Sequence, residues 1–140
     1  MSEGKGHCLC GVVKFTVKTM NNSVDACHCG MCRRWGGGPL MSVSCGKDVT
    51  FEGEENITVY NSSDWAERGF CKLCGSHLFY RLKEANDHQL SAGLFESQKN
   101  FHFDFQVFTD RKPAFYNFAN NTKEMTEAEV IKKFAPEQNT

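Results

Sequence analysis

Seven of the eight cysteines in this 140-residue chain fall in three tight groups: Cys8-x-Cys10, Cys27-x-Cys29-x-x-Cys32 and Cys71-x-x-Cys74, with Cys45 standing apart. Two of the groups contain Cys-x-Cys, a spacing whose disulfide would be strained because its small ring opposes the torsion that an S–S bond prefers. The segment "MSEGKGHCLCG" has no apolar stretch of the kind a secretory signal needs, so a cytoplasmic location is expected. Thiols there stay reduced, and reduced thiols in clusters bind soft or borderline metals. Any fold this chain adopts must therefore bring these groups together around metal, and zinc is the expected ion.

Cys8-x-Cys10 precedes a strand pattern, while Cys71-x-x-Cys74 lies between "RGF" and the strand pattern "SHLFYRL". Gly11 and Gly75 directly follow the pairs, as expected where backbone turns tightly around a metal. Four thiolates from two segments make a closed, structural tetrahedral site. A redox role for Cys71-x-x-Cys74 would call for a helix start in a βαβ setting, and the pattern predicts none.

The segment "DACHCGMCRRWGGGP" offers only three thiols. Three protein ligands with an open fourth position is the pattern of a catalytic zinc. A closed site would need a fourth ligand from Cys45, His28, His77 or His102. His28 should point away from its flanking cysteines, and Cys45 ends a predicted strand where it also reads as a small buried hydrophobe. Pairing of Cys8 and Cys10 with Cys29 and Cys32 is equally compatible with the spacing. Beside the cluster, Arg33 or Arg34 can grip a carboxylate, and Gly36 to Gly38 (Gly37 central) let a ligand approach the main chain. Trp35 reads as a packing residue.

Period-two alternation dominates elsewhere. "VVKFTVK" places Val13, Phe15 and Val17 on one face, and "LMSVSC", "DVTFEG", "ITVYNSS", "SHLFYRL" and "HQLSAGLF" read as further strands. In "FHFDFQVF", Phe101, Phe103, Phe105 and Val107 share a face that reads as core. One helix is predicted, over about 127–135, with Thr126 as N-cap, Glu129 completing a capping box, Met125 and Val130 as a staple and Pro136 as the stop. It should dock through Val130, Ile131 and Phe134. The fold class expected is mainly β: a single domain of short antiparallel strands with a small C-terminal helix.

Composition narrows the function. A formal net charge of -1 gives no field for nucleic acid or an anionic membrane, and Arg33, Arg34, Arg68 and Arg81 form no aromatic-basic repeat. No apolar run reaches the roughly 18 residues of a membrane span. Oligomeric state leaves no mark in the sequence.

The stretches "HCLCGVVKF", "ACHCGMCRRWGGG", "SSDWAERGFCKLCGSHLFYR", "SAGLFE" and "VFTDRKPAFYNFAN" resemble the family of glutathione-dependent formaldehyde-activating enzymes, which shares its domain with centromere protein V. The resemblance spans about 7–120 and leaves out the C-terminal helix. It implies an Mss4-like β-tent and two zincs per chain. Cys8, Cys10, Cys71 and Cys74 match the structural zinc positions, and Cys27, Cys29 and Cys32 match those of a second, catalytic zinc. Three cysteinates leave that site formally anionic, so its metal is expected to be displaced readily by a thiol. The implied activity is that of a carbon–sulfur lyase joining glutathione and formaldehyde into S-hydroxymethylglutathione. A thiol on zinc would ionise readily and attack the aldehyde, with small-molecule thiol and aldehyde as the partners. His28, His102 and Asp104 are the candidate general bases. The competing reading is a non-catalytic binding module in which Cys45 closes the second site.

Overall fold

A computed structural model describes residues 2–134. Its strands in chain order are β1 (Ser2–His7), β2 (Lys14–Met20), β3 (Ser23–Cys27), β4 (Leu40–Gly46), β5 (Val49–Glu52), β6 (Ile57–Tyr60), β7 (Ala66–Cys71), β8 (His77–Leu82), β9 (Asp87–Ser91), β10 (His102–Val107) and β11 (Lys123–Met125); the helices are α1 (Gly30–Gly36) and α2 (Glu127–Phe134). The chain is mainly β, as its alternation predicts. It divides into two compact units, one of 2–23 with 42–102, the other of 24–41 with 103–134.

In the first unit, β1, β2 and β5 form an antiparallel sheet in the order β1-β2-β5. Val13, Phe15 and Val17 point inward and are buried, while Lys14, Thr16 and Lys18 are exposed, which is the predicted half-buried strand. Phe15 meets Phe95 edge-on at 5.0 Å, and Phe95 meets Phe101 at 5.2 Å. A second run of strands has the order β4-β9-β8-β7-β6, with Leu78 and Leu90 wholly buried. Strand β7 is not expected from sequence: "AERGFC" shows no clean alternation, and Arg68 and Gly69 are both buried in it. Gly69 is there because the ring of its cross-strand partner Phe79 occupies its Cβ space, within 2.3 Å. Arg68 stacks on the Tyr80 ring at 5.0 Å, and Arg81 pairs with Glu67 across the strands at 3.0 Å. Both arginines are thus built into the sheet.

In the second unit the strand order is β11-β10-β3. Neither β1 of the first unit nor β3 here is expected from sequence, because glycines and single polar residues break their patterns. The pairing of β10 with β11 is parallel, a departure from the all-antiparallel expectation. In β10 the predicted inward face is only half-buried at Phe103, Phe105 and Val107, whereas Gln106, on the opposite face, is 6% exposed.

Helix α1 replaces the loop expected at "RRWGGG". Its propensity is poor, with glycine at both ends, but Cys29 caps its start and Cys32 is its one buried residue. Gly37 closes it as a left-handed C-cap (φ 86°), its N–H bonded to Arg33 O at 2.7 Å. The predicted capping box of α2 is present: Thr126 N–H donates to Glu129 Oε1 at 2.9 Å and Glu129 N–H to Thr126 Oγ1 at 3.3 Å. Of its expected apolar anchors Val130 is half-buried, and polar contacts hold its first turn. Glu127 pairs with Arg111 and its N–H donates to Asp110 Oδ1, whereas Ile131 is 38% exposed. The Phe134 side chain, Ala135 and Pro136 lie outside the described residues.

Candidate functional site

The first unit gathers the thiols of Cys8, Cys10, Cys71 and Cys74 with all sulfurs within 4.8 Å of one another. Two loops of the same design present them. Cys8 N–H bonds Val13 O, and Cys71 N–H bonds Ser76 O. In each loop the glycine after the second cysteine, Gly11 or Gly75, has positive φ and returns its N–H to the first cysteine's carbonyl. The S–S separations Cys8–Cys10 and Cys10–Cys71 are 3.7 and 3.8 Å. A tetrahedron with metal–sulfur bonds of about 2.3 Å has edges of about 3.8 Å, so these two separations are those of a zinc site. Val13 N–H donates to Cys8 Sγ, and Ser76 Oγ lies 3.2 Å from Cys74 Sγ. That serine and its own N–H, together with the backbone of Cys10, bring the Cys74 thiol down to about 5.

The second unit gathers Cys27, Cys29 and Cys32, again within 4.8 Å. Cys27 ends β3, Cys29 is the N-cap of α1, and Cys32 sits in its first turn with its N–H donated to Cys29 Sγ at 3.3 Å. The Cys27 thiol is pushed far up by Cys29, then Cys32, and by burial. Three thiolates this close repel one another, and a divalent cation is what relieves that repulsion. The donor set fits zinc with three protein ligands.

Among the described residues no fourth cysteine, histidine or carboxylate joins this group. Cys45 lies in the other unit, buried, its thiol donating to Val43 O at 3.4 Å and held up at about 12 chiefly by burial. It is the small buried hydrophobe of the two readings. His77 is half-buried in β8 and His102 is exposed at the start of β10; neither belongs to a thiol group.

His28 points away from the thiols, as expected, but into a network the sequence did not reveal. Wholly buried, it bonds Tyr116 Oη through Nδ1 at 2.7 Å and Gln106 Oε1 through Nε2 at 2.9 Å. Gln106 Nε2 in turn donates to Thr122 Oγ1 at 2.9 Å. Burial, aided by Lys112 and Arg33 against the pull of Gln106, lowers its basicity. With both nitrogens engaged and no exposure, His28 is no general base for a substrate. Asp104 is exposed beside Asp25, whose carboxyl is raised to about 6 by burial and then by Asp104.

Arg33 is half-buried, and its Nε donates to His28 O at 2.9 Å, which ties the guanidinium to the thiol segment. Arg34 is exposed on the same helix. Gly37 has open space where a Cβ would stand, and its positive φ serves the helix end. Tyr116, Gln106 and Thr122 had no local signal in the sequence. Gln106 occupies a strand position that alternation assigns to water, and Tyr116 reads as one more aromatic.

Comparison with known proteins adds three findings. A family profile described as "Glutathione-dependent formaldehyde-activating enzyme" matches residues 3–111, stopping short of the 120 that the resemblance suggested. Over 133 residues, which span 94% of this chain and 97% of the relative, the sequence is 38% identical to an uncharacterized lyase of Schizosaccharomyces pombe. The crystal structure of a Rhodobacter sphaeroides protein is similar, with a TM-score of 0.58 and 26% identity, covering 66% of this chain and 88% of that one.

Proposed function

Because this chain belongs to the family of glutathione-dependent formaldehyde-activating enzymes, we propose that it is a zinc-dependent carbon–sulfur lyase. Its reaction is the reversible addition of a thiol to formaldehyde or a related small electrophile, with glutathione as the thiol. The sulfur bonds to the carbonyl carbon and the thiol proton ends on the carbonyl oxygen, giving the S-hydroxymethyl adduct. The observation that carries this reading is the three-thiol group Cys27, Cys29 and Cys32, complete in itself yet one ligand short of a closed tetrahedron.

Zinc held by those thiols supplies a cation that favours the ionised form of a substrate thiol and polarises a carbonyl. The chain's own residues do the positioning. Arg33, fixed through its Nε to the carbonyl of His28, offers the rest of its fork to a substrate carboxylate. Arg34 and the open backbone at Gly37 extend that surface at the C-terminal end of the same short helix. Holding thiol and carbonyl in one orientation replaces a bimolecular encounter, and that is the main rate contribution available to so simple an addition. The four-thiol group Cys8, Cys10, Cys71 and Cys74 holds a structural zinc that contributes folding free energy. No helix among the described residues is long and apolar enough to cross a membrane. A cytoplasmic setting, which keeps the thiols reduced, belongs to the same proposal.

The test is the interconversion rate of formaldehyde hydrate and its glutathione adduct, followed by carbon-13 exchange spectroscopy with zinc-loaded protein. Acceleration that disappears in Cys27→Ser and survives in Cys45→Ala is the expected result. A fully zinc-loaded protein that leaves the uncatalysed rate unchanged overturns the lyase reading in favour of a zinc-stabilised binding module.

A further inference from the structure

We infer that the open edge of β6 pairs with the same edge of a second copy of this chain, antiparallel and across a twofold axis at Val59. The inference is independent of the lyase reading and concerns the first unit.

Among the described strands, β1, β5, β6 and β11 end a sheet. Such a strand presents unpaired backbone groups to any other extended chain, and folds blunt these edges with charge, proline, bulges or a covering segment. Strand β1 is covered: Glu96 N–H bonds Lys5 O, and Phe95 is bridged to Gly6. Strand β5 ends on Glu52, and β11 is Lys123-Glu124-Met125. Among the described residues β6 has none of these devices. "NITVYNSS", from Asn56 to Ser63, contains neither charge nor proline, and the ladder between β6 and β7 runs without a bulge. Val59 is 43% exposed and Tyr60 64%.

The phase of the open edge follows from that ladder. Ile57 stands opposite Cys71, Thr58 opposite Phe70 and Val59 opposite Gly69. Lys72 N–H donates to Asn56 O at 2.8 Å, while Cys71 N–H turns the other way, to Ser76 O. In an antiparallel pair, residues bonded to the neighbouring strand alternate with residues that are not. Thr58 and Tyr60 therefore turn their backbone groups to β7, and Ile57 and Val59 turn theirs outward. The Ile57 N–H is already given to Glu54 O, at the end of the 3₁₀ turn Glu54–Asn56. What the edge offers is the carbonyl of Ile57 and both groups of Val59.

These groups select the partner and its register. With Val59 opposite Val59 of the second copy, each donates its N–H to the other's carbonyl. A twofold register centred on Thr58 would set the Val59 carbonyl against the Ile57 N–H that Glu54 already holds. The Val59 axis also places Thr58 against Tyr60 twice, a β-branched and aromatic pair of the kind that stabilises sheets. Ile57 falls opposite Asn61, so no charge enters the pairing; Glu54, Glu55 and Asp64 lie outside it. A charged strand would find no counter-charge on this edge, and the uncharged strand that every copy carries is the matching occupant. One strand pair is less than a standard interface, so the dimer is reversible and depends on concentration.

Sedimentation velocity of the zinc-loaded protein over a concentration series should show this monomer–dimer equilibrium. Val59→Pro removes the outward N–H and no bond of the β6–β7 ladder. It should abolish the dimer at unchanged zinc content and far-ultraviolet dichroism. Val59→Lys and Val59→Glu should each weaken dimerisation by about tenfold or more, because like charges meet at the axis. An equimolar mixture of the two should pair again. Wild-type protein that stays monomeric at every concentration overturns the inference and leaves the edge to a strand of another protein. A dimer that survives in both charged variants uses another surface and overturns it too, as does a mixture that remains monomeric. If Val59→Pro does not fold, the charged variants decide the matter, since an exposed position accepts either side chain.

Discussion

Cys29 is at once a member of the three-thiol group and the N-cap of α1, its sulfur accepting the Cys32 N–H at 3.3 Å. A short helix with glycine at each end and no acidic residue in its first turn gains its cap from the same atom that would hold the metal. The donor group and the helix that presents Arg33 are therefore one construction.

The two thiol groups should respond differently to loss of a ligand. Cys71→Ala removes a buried corner of the closed group, where metal binding is folding free energy. We expect zinc per chain to fall by about one, and thermal unfolding to move to much lower temperature. Cys27→Ala should remove about one zinc as well, with a far smaller change in unfolding temperature. Metal analysis paired with calorimetry checks both, and equal destabilisation by the two variants would contradict the division into structural and open sites.

Cys45→Ala should leave zinc content unchanged, because its thiol serves Val43 O in a buried strand. The cost is a small cavity, about 1 kcal/mol in denaturant unfolding. Zinc loss in this variant would restore Cys45 as a ligand.

Two glycines with similar positive φ should behave unlike each other. At Gly53 (φ 78°) an added Cβ would stand 2.1 Å from Val12 O, beside the loop that carries Cys8 and Cys10. At Gly37 (φ 86°) nothing lies within 4 Å. Gly37→Ala should cost about 1 kcal/mol, the strain of a left-handed residue, and Gly53→Ala about 3 kcal/mol or more, because backbone must move as well. Comparable losses would mean that the Val12 carbonyl gives way freely.

Asp25 sets an expected pH dependence. Its carboxyl is raised from 3.8 to about 6 by burial and by Asp104, so the folded state binds a proton that the unfolded state has released. Stability is fully present below pH 3.8 as far as this group is concerned, falls as pH rises through about 6, and stays lower above that. Asp25→Asn should therefore stabilise the protein at pH 8 by about 1 kcal/mol once solvent screening is allowed for, and change little at pH 4. Unfolding midpoints of the two proteins across that range give the answer; a constant difference would rule out titration of Asp25.

Much of the metal chemistry was legible in the sequence because ligand spacing is a local property. Cys-x-Cys and Cys-x-x-Cys with a following glycine prescribe a tight loop whatever surrounds it, and both loops of the four-thiol group have that form. The same holds for the Thr126/Glu129 capping box and for Val13, Phe15 and Val17, whose roles depend on neighbours three or fewer residues away. Helix α1 was not legible, since its cap is a cysteine and its composition argues for a loop. Nor was β7, where buried Arg68 and Gly69 are tolerated only because Tyr80 and Phe79 of the next strand lie over them. What tertiary structure alone decided was the company of His28. Tyr116 and Gln106 hold its two nitrogens, and Thr122 holds Gln106. These residues stand 16 to 88 positions from one another in hydrogen-bonded pairs, and no local pattern encodes a partner at that distance. Spacing determines which atoms can bind a metal; burial and strand pairing determine how the remaining groups are held.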